Sequence, residues 1–538
     1  MTKAAEMAKV SVQGGFHLLW GLVVSTVISA FGTIYLANVL ASDQMGLYSL
    51  AMAAPTLIGV FRDWGVNAAL IRYTAKYSSE KKIHSAKRIL ISSLFFEVIA
   101  GVALSAVSFL LSGPFSNLYD QPTLAPLIQI ASFTILMNAF LTVAQSAFTG
   151  FERMEFNSIT LIFQSITKAL IAPGLVILGL GVFGAVLGVT VSFLIAGVTG
   201  TVFVWVLYRN LTPSPSQSDL PQNLHSGNRR REIIENVKIL LKYGVPVSIG
   251  LIIVAFQTQF YTMLMGIYVP IDEIGNYSVA VSFVVLINFF QTPAATMLFP
   301  AFSKLEPKKE RETLQNVYQF SIKYASLLVV PMAFLVMALS EPAVSTLFGN
   351  KYPNTPLFLS LLAISYVFTA FGNLSTENLL VGQGKTALSM KLTILSAAIA
   401  FPLGIVLVGQ LGVIGIIITI LTSGIPSLII KLHWIQKHYG LKVDWVSSGK
   451  IVFSSSLAAA AAFALQSQLT FSSWINLIIG VATFALAFLT ISLLTRTIDQ
   501  YDIDNLRQMT TSLGPINRII KPILNLLEKL LKLISAQK

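Results

Sequence analysis

Residues 42–51, SDQMGLYSLA, return as residues 271–280, IDEIGNYSVA, with the same Asp-x-x-Gly-x-Tyr-Ser-x-Ala pattern. Two more matches lie at nearly the same separation of about 230 residues. They are AFTGFERM (147–154) with LLVGQGKT (379–386), and LGVFGAV (180–186) with LGVIGII (411–417). Three matches at one separation indicate that the chain carries an internal duplication.

The composition is that of a membrane protein. Of 538 residues, 54% are hydrophobic and 11% are charged, whereas soluble domains carry about 25% charged residues. A soluble enzyme is therefore excluded. The chain has no Cys and only 5 His, which removes thiolate metal sites, Cys nucleophiles and iron–sulfur clusters and leaves little material for a transition-metal centre. We expect no metal site and no cofactor.

Fourteen apolar blocks, each of about 20 residues or more, predict an all-α polytopic membrane protein. They run from residues 16–40 to residues 475–494, and the first is too long for the core of a cleaved signal peptide. With the N-terminus inside, nearly all of the 36 Lys and Arg residues fall in inside loops. Topology thus explains the net charge of +13 without nucleic-acid binding. We expect a multi-pass protein of the cytoplasmic membrane with both termini in the cytoplasm.

The duplication predicts the domain organisation. Each copy holds six spans, an even number, so both copies have the same orientation and are related by a two-fold axis along the membrane normal. Such halves enclose a cavity and rock about it in alternating access. The predicted parts are a six-helix lobe (1–210), a Ser- and Pro-rich cytoplasmic linker (211–231), a second six-helix lobe (232–442), helices thirteen and fourteen (443–497) and an amphipathic cytoplasmic tail (498–538).

The stretch YLANVLASDQMGLYSLAMAAPTLIGVFRDWGVNAALIRYTAKY, residues 35–77, resembles the opening signature of the oligosaccharide and polysaccharide flippases. These proteins belong to the multidrug/oligosaccharidyl-lipid/polysaccharide (MOP) exporter superfamily. The resemblance rests on the Gly-x-Tyr-Ser turn and on Asp63, Gly65, Arg72 and Tyr73. It implies two six-helix repeats plus two C-terminal helices. It also implies export of a polyprenyl-pyrophosphate-linked oligosaccharide from the inner to the outer leaflet, without ATP, for cell-surface polysaccharide or glycoconjugate biosynthesis.

Basic side chains in or beside the spans are candidates for binding the pyrophosphate. A charge inside a span costs about 3 kcal/mol on insertion scales, so each one is a functional candidate. We expect Arg62, Arg72, Lys168 and His17 to line an inward-open cavity. Arg can hold phosphate oxygens with two donors, and Lys supplies a compact charge. The alternatives are a structural ion pair, or a side chain that extends to the headgroups.

Three acidic residues, Asp63, Glu97 and Glu377, are candidates for ion coupling or charge balance, with H+ or Na+ as the coupling ion. Counting 1.5 Å per residue places Glu97 at the depth of Lys168, and Glu377 at the depth of Arg62. Both pairs could therefore form salt bridges. An aspartate next to an arginine on one helix does not face it, so Asp63 needs another partner or a water-filled cavity.

Neutral amide side chains within the spans are candidates for binding sugar hydroxyls. The duplication aligns Phe290-Gln291-Thr292 with Phe61-Arg62-Asp63, so the second half has neutral groups where the first has charges. Such amides alternatively join helices to one another. The candidates are Gln257, Gln259, Asn288, Gln291, Asn138 and Gln145.

No nucleotide site is expected. Gly384-Lys385-Thr386 resembles the end of a phosphate-binding loop, but Leu379 occupies the position of its first glycine.

Two other functions fit the sequence less well. A cation-coupled multidrug or small-solute antiporter of the same superfamily would use Asp63, Glu97 or Glu377 as its coupling carboxylate. A membrane-embedded glycosyltransferase or polymerase would need paired carboxylates or a metal-held donor on a substantial loop. The chain has no such loop, so we do not expect an enzyme.

Overall fold

The computed structural model describes residues 3–210, 229–307, 309–469 and 471–511, together with residues 522, 525 and 528. These residues form α-helices with short π and 3-10 turns and no strand, so the predicted all-α class is confirmed. The helices are α1 (Lys3–Val39), α2 (Ser42–Gly59), α3 (Val66–Ser79), α4 (Ile83–Leu110), α5 (Ser112–Leu118), α6 (Leu124–Gly150), α7 (Met154–Leu175), α8 (Gly181–Asn210), α9 (Arg229–Tyr268), α10 (Ile271–Ser303), α11 (Arg311–Phe348), α12 (Thr355–Val367), α13 (Asn373–Gly382), α14 (Thr386–Ser423), α15 (Ile425–Tyr439), α16 (Trp445–Gln466), α17 (Ser473–Leu494) and α18 (Gln500–Thr511).

The helices are those of a multi-pass membrane protein. Within the described residues, 10 helices are long and apolar enough to cross a membrane, or 11 if the bent pair α12 and α13 is counted as one span. Two of the 10 are composite segments, Met154–Arg209 with 56 residues and Thr386–Tyr439 with 54. One span needs about 20 residues. Each composite segment is therefore more than twice as long as a single span.

Both composite segments bend at glycines that the duplication relates to each other. Gly181 adopts φ 51° and ψ −137°, and Gly412 adopts φ 57° and ψ −133°. Positive φ is readily available only to glycine. The matched strings LGVFGAV and LGVIGII thus form the same kind of turn in both copies.

The two decapeptides that define the duplication pack against each other. A Cβ on Gly46 of α2 would lie 1.9 Å from the backbone oxygen of Ile271, and one on Gly275 of α10 would lie 1.8 Å from that of Ser42. The Ser49 hydroxyl donates to the Ser278 hydroxyl at 2.8 Å. The contact is reciprocal, as expected at a two-fold relation. Glycine is therefore required at both positions because the two helices touch there through their backbones.

The apolar block predicted as one span over residues 357–381 forms two helices with a bend between them. Helix α12 ends at Val367, a 3-10 turn covers Phe368–Phe371, and α13 begins after Gly372, which has φ 83°. The two helices are bent by 56°. The left-handed glycine ends the first helix and begins the second, so the chain changes direction inside the apolar block.

A second break separates α2 from α3. The chain turns through Trp64 and Gly65, which have φ 45° and φ 77°. A Cβ on Gly65 would lie 2.1 Å from the backbone oxygen of Gly244 in α9, so only glycine fits this approach. Arg62 and Asp63 consequently lie in a turn rather than on a continuous helix.

The chain divides into two compact units. One comprises Met1–Val285, Lys351–Asn354 and Met390–Gly424, and the other comprises Leu286–Asn350, Thr355–Ser389 and Ile425–Lys538. The predicted lobes 1–210 and 232–442 and the pair of helices in 443–497 remain predictions. Most of the predicted linker (211–228) and most of the tail beyond residue 511 lie outside the described residues.

Candidate functional site

Lys168 lies in a cavity of about 380 Å³ between α1, α7 and α10. Helix α7 begins at Met154, so Lys168 is about 21 Å along it, well inside a bilayer core of about 30 Å. The lining is rich in hydroxyl groups and also includes one amide. These polar residues are Ser25, Thr26, Ser29, Thr33, Gln164, Ser165 and Ser282.

Helix periodicity brings these hydroxyl groups together. Ser25, Ser29 and Thr33 follow one another at intervals of four residues, which places them on one face of α1. The Ser29 hydroxyl donates to that of Ser165 on α7 at 3.0 Å. The two helices are in close contact, because a Cβ on Gly32 would lie 2.5 Å from that of Ala169. The cavity is thus a gap between helices that small residues hold tightly together.

Lys168 has no carboxylate partner among the described residues. The predicted Glu97–Lys168 salt bridge is wrong, because Glu97 pairs with Arg62 instead. An ammonium group inside a membrane protein is costly unless an opposite charge offsets it. The cavity therefore has the chemistry of an anion site, with one positive charge and several hydroxyl donors.

Arg62 and Glu97 form a separate, buried ion pair. Arg62 Nε lies 3.2 Å from Glu97 Oε2, and Arg62 is 5% exposed while Glu97 is fully buried. The other guanidinium nitrogens donate to the Thr142 hydroxyl at 3.0 Å and to the Ile135 carbonyl at 3.4 Å. The protein itself thus occupies the donors of Arg62. Its assignment to the pyrophosphate remains a prediction.

Asp63 belongs to the same cluster through Asn67. Asp63 Oδ1 accepts the backbone N–H of Asn67 at 2.8 Å, and the Asn67 side chain donates to Glu97 Oε1 at 3.0 Å. The cluster therefore contains two carboxyl groups and one guanidinium, and only Glu97 pairs with the guanidinium. If both were ionised the cluster would carry a net negative charge, so one proton or cation would balance it.

Glu377 pairs with a residue that the sequence analysis did not select. Glu377 Oε2 lies 2.7 Å from Lys431 Nζ, and the Ser389 hydroxyl donates to the other carboxylate oxygen. The predicted Arg62–Glu377 pair is therefore wrong. Lys431 lies at the end of an apolar block, where lysines are common in membrane proteins. No signal in the sequence therefore distinguished it from other lysines at the ends of spans.

The two remaining basic candidates are Arg72 and His17, and neither is among the described residues that line the Lys168 cavity. Arg72, on α3, is exposed, and its guanidinium lies 4.2 Å from the ring centroid of Tyr243 in a cation–π contact. His17 belongs to α1, but its side chain is outside the described residues.

The amide candidates are dispersed, and none is among the described residues that line the Lys168 cavity. The Gln257 amide donates to the Tyr261 hydroxyl at 2.5 Å. The Asn288 side chain accepts from the Tyr366 hydroxyl at 2.9 Å. Asn138 and Gln145 lie on α6, Gln259 on α9 and Gln291 on α10. The sequence analysis missed the hydroxyl groups of α1, whose four-residue spacing was the available signal.

No metal centre is apparent in the parts of the chain that the structure describes. Their His, Asp and Glu side chains form no group of three that could hold a metal ion.

A bundle of apolar helices, with charged and hydroxyl groups inside it, is the architecture of a polytopic membrane transporter. Over residues 11–306 the chain matches the family described as polysaccharide biosynthesis protein, and it belongs to that family.

A sequence relative and two solved structures agree with this assignment. The chain is 22% identical over 486 residues to the probable low-salt glycan biosynthesis flippase Agl15 of Haloferax volcanii, covering 88% of this chain and 94% of the relative. It is similar in fold to the lipid II flippase MurJ in an inward closed conformation, with a TM-score of 0.69 and 14% identity over 89% of this chain and 98% of that one. An inward-facing multidrug resistance MATE family transporter of the MOP superfamily matches with a TM-score of 0.64 and 17% identity, covering 77% and 94%.

Proposed function

We propose that this protein is a flippase that moves a polyprenyl-pyrophosphate-linked oligosaccharide from the cytoplasmic to the outer leaflet, for cell-surface polysaccharide or glycoconjugate biosynthesis. Membership of the polysaccharide biosynthesis family supports a role in glycan export. The relative Agl15, which is named as a probable glycan biosynthesis flippase, matches nearly the whole chain. The protein acts as a transporter rather than as an enzyme.

The observation that carries the proposal is Lys168 in its hydroxyl-lined cavity, without a carboxylate partner among the residues that the structure describes. A phosphate oxygen placed against the ammonium would offset its desolvation cost, because a charge-assisted hydrogen bond would form. Hydroxyl groups from α1 and α7 would supply further donors to the remaining oxygens. The pyrophosphate thus enters the cavity while the polyprenyl chain stays in the bilayer.

The same charge disfavours the antiporter alternative. A cationic drug would be repelled by Lys168, and no carboxylate is among the described residues of the cavity lining. The similarity to a MATE transporter concerns the fold, which flippases and antiporters share. The two functions therefore differ in the charge of the site rather than in the architecture.

The proposal includes a topology of fourteen spans in the cytoplasmic membrane, with both termini in the cytoplasm. The bends at Gly181 and Gly412 support it, because each lies within a segment long enough for two spans. The Lys and Arg distribution supports the orientation. The Asp63–Glu97 cluster is the proposed site of H+ or Na+ coupling, because Asp63 forms no salt bridge within the described part of the chain.

A flipping assay in proteoliposomes tests the function. A fluorescent polyprenyl-pyrophosphate oligosaccharide is followed between leaflets with and without a proton or sodium gradient, for the wild type, Lys168→Gln and Lys385→Gln. We expect protein-dependent flipping that Lys168→Gln lowers at least about tenfold, the loss of one charge-assisted bond. Lys385, an exposed loop lysine, is the matched control and should behave as the wild type.

Two results of the flipping assay would contradict the proposal. Wild-type flipping by Lys168→Gln would remove Lys168 from the site. If the labelled lipid stays in place while a gradient drives export of a cationic dye, the protein is an antiporter. A gradient dependence that Asp63→Asn abolishes would support the proposed coupling site, because this change leaves the Arg62–Glu97 pair in place.

A further inference from the structure

Two adjoining cavities lie where α4 and α9 begin and α8 ends, at the end of the helices that the charge bias assigns to the cytoplasm. The first, of about 280 Å³, is polar and includes His84, Lys87, Arg88, Glu232 and Asn236. The second, of about 230 Å³, is apolar and includes Leu94, Phe140, Val143, Val204 and Trp205. Ile91 and Tyr208 line both cavities, so the polar cavity and the apolar cavity are neighbours.

The polar cavity carries one unbalanced positive charge. Arg88 Nη1 lies 2.7 Å from Glu232 Oε1, so these two charges offset each other. The Lys87 ammonium lies 4.2 Å from the ring centroid of Tyr208 and has no carboxylate partner in the described part of the chain. A cation–π contact holds the ammonium in place without neutralising it. An anion that enters this cavity therefore meets a fixed single charge.

The apolar cavity extends from this charge toward the middle of the membrane. Leu94 lies about 16 Å along α4 from its start at Ile83, whereas Lys87 lies within the first two turns. Trp205 is 52% exposed, which leaves one side of the groove open. The Arg209 guanidinium lies 4.0 Å from its ring centroid, at the interfacial level where such pairs are common.

We propose that these two cavities together bind one phospholipid of the inner leaflet with an anionic headgroup. Its phosphodiester contacts Lys87, and one acyl chain lies in the groove between α4, α6 and α8. A phosphodiester carries one negative charge, which matches the single unbalanced charge of the polar cavity. A pyrophosphate carries more charge than this cavity can balance, so a resident phospholipid fits better than the transported lipid. The site shares no described residue with the Lys168 cavity.

Native mass spectrometry of the delipidated full-length protein tests the site. Phosphatidylglycerol, phosphatidylcholine and inorganic phosphate are titrated separately against the wild type, Lys87→Gln, Thr201→Phe and Lys437→Gln. Thr201 lines the apolar cavity, and phenylalanine there would fill the groove. Lys437 is an exposed lysine of a different loop cavity and serves as the matched control.

We expect the wild type to bind one phosphatidylglycerol more tightly than phosphatidylcholine or inorganic phosphate. Lys87→Gln should weaken this binding about fivefold, the effect of one basic residue near a charged lipid surface. Thr201→Phe should weaken it at least as much, and Lys437→Gln should not change it. Unfolding temperatures show whether each variant is folded. If Thr201→Phe fails to fold, the binding measured for Lys87→Gln alone tests the proposal.

Three results would overturn the proposal. Equal binding of phosphatidylcholine would show that the Lys87 charge selects nothing. Equal binding by the wild type and both site variants would place the lipid elsewhere. Binding of a polyprenyl pyrophosphate without any phospholipid would make these cavities part of the transport route, whatever the flipping assay shows for Lys168.

Discussion

The Lys168 cavity and the Arg62–Glu97 cluster both contain charges that lie deep in the first six predicted spans, yet they are built in opposite ways. Arg62 lies 3.2 Å from a carboxylate oxygen and donates to a hydroxyl and a carbonyl. Lys168 faces hydroxyl groups and has no described carboxylate partner.

The Arg62 charge is neutralised by a neighbouring carboxylate of the protein, whereas the Lys168 charge has no such partner among the described residues. A buried ion pair stabilises the fold only while both partners are present, because either one alone is an uncompensated charge. An ammonium without a carboxylate partner gains no such ion-pair stabilisation. Burial alone therefore does not identify a binding residue. A buried basic side chain is a better candidate when its hydrogen-bond donors are not already bonded to groups of the protein.

The largest predicted effect is the loss of one partner of the buried pair. Arg62→Met leaves Glu97 without its guanidinium, and we expect a destabilisation of about 3–5 kcal/mol. Much less folded protein should then be recovered in detergent. Fluorescence-detected size exclusion after a heating series measures this loss.

A double variant provides the control for this prediction. Arg62→Met combined with Glu97→Met removes both charges and should recover most of the stability. A stable single variant would mean that the pair is not structural, and the contrast with Lys168 would fail.

Lys168→Met should give the reverse pattern. No described carboxylate is left unpaired, so folded protein should remain at wild-type levels while flipping falls at least about tenfold. Lys168→Arg keeps the charge and should retain part of the activity. Equal loss of folded protein in Lys168→Met and Arg62→Met would contradict the distinction between the two regions.

Much of the fold could be predicted from the sequence. The apolar blocks located most helices, and the matched strings LGVFGAV and LGVIGII contain Gly181 and Gly412, at which the structure has equivalent turns. The contact of Gly46 with Ile271 was not predicted, although its residues were quoted as a repeat. Sequence similarity shows that two segments are alike, but only packing shows that they touch.

The observed Arg62–Glu97 and Glu377–Lys431 salt bridges could not be predicted by counting depth along the helices. Such a count shows neither where a helix bends nor which helices are neighbours. Arg62 follows the end of α2 at Gly59 and lies in the turn before Gly65, so its depth cannot be counted along one axis. A bend at Gly372 likewise precedes Glu377. The misassigned Arg62–Glu377 pair joins two residues that lie next to such breaks. Glu97 and Lys168 lie within the unbroken helices α4 and α7, and they were mispaired because equal depth does not show that two helices are neighbours.

The cavity lining was missed for a different reason. Serine and threonine in membrane helices commonly donate to a carbonyl of their own helix, as Thr33 does to Ser29 at 2.9 Å. Their presence in an apolar block is therefore uninformative until the neighbouring helix is known. Ser29 becomes part of a site only because α7 places Ser165 and Lys168 opposite it.

A half-exposed ion pair should matter less than the buried one. Glu377 is 38% exposed at its side chain, whereas Lys431, its partner at 2.7 Å, is 11% exposed, so solvent screens the carboxylate side of the pair only. We expect Glu377→Gln to lower the unfolding free energy by about 1 kcal/mol, well below the effect of Arg62→Met. If Glu377→Gln and Arg62→Met lower the unfolding temperature equally in the same heating series, the exposure of an ion pair does not determine its contribution to stability.

The smallest effect concerns a carboxylate outside the spans. Asp444 begins α16 and accepts the backbone N–H groups of Val446 and Ser447 at 3.1 Å each, and the Ser447 hydroxyl at 2.5 Å. Burial alone would raise the pKa of Asp444, but these hydrogen bonds and the charge of Lys323 outweigh it and hold the pKa below its usual value.

Asp444→Ala should therefore cost about 0.5–1 kcal/mol near neutral pH, as the loss of a helix cap does. A lowered pKa in the folded state means that the contribution is complete above the unfolded pKa of about 3.9 and is lost as the pH falls through the lower folded value. The heating series at pH 7 and below pH 4 should thus show a gap between wild type and variant that narrows in acid. Asp444→Asn keeps a capping oxygen but not the charge, so it should lie between the wild type and Asp444→Ala at pH 7 and close to the wild type below pH 4. A gap that persists unchanged in acid would mean that the Asp444 charge adds nothing, and capping would then be a matter of shape alone, unlike the charge-dependent pairing of Arg62 with Glu97.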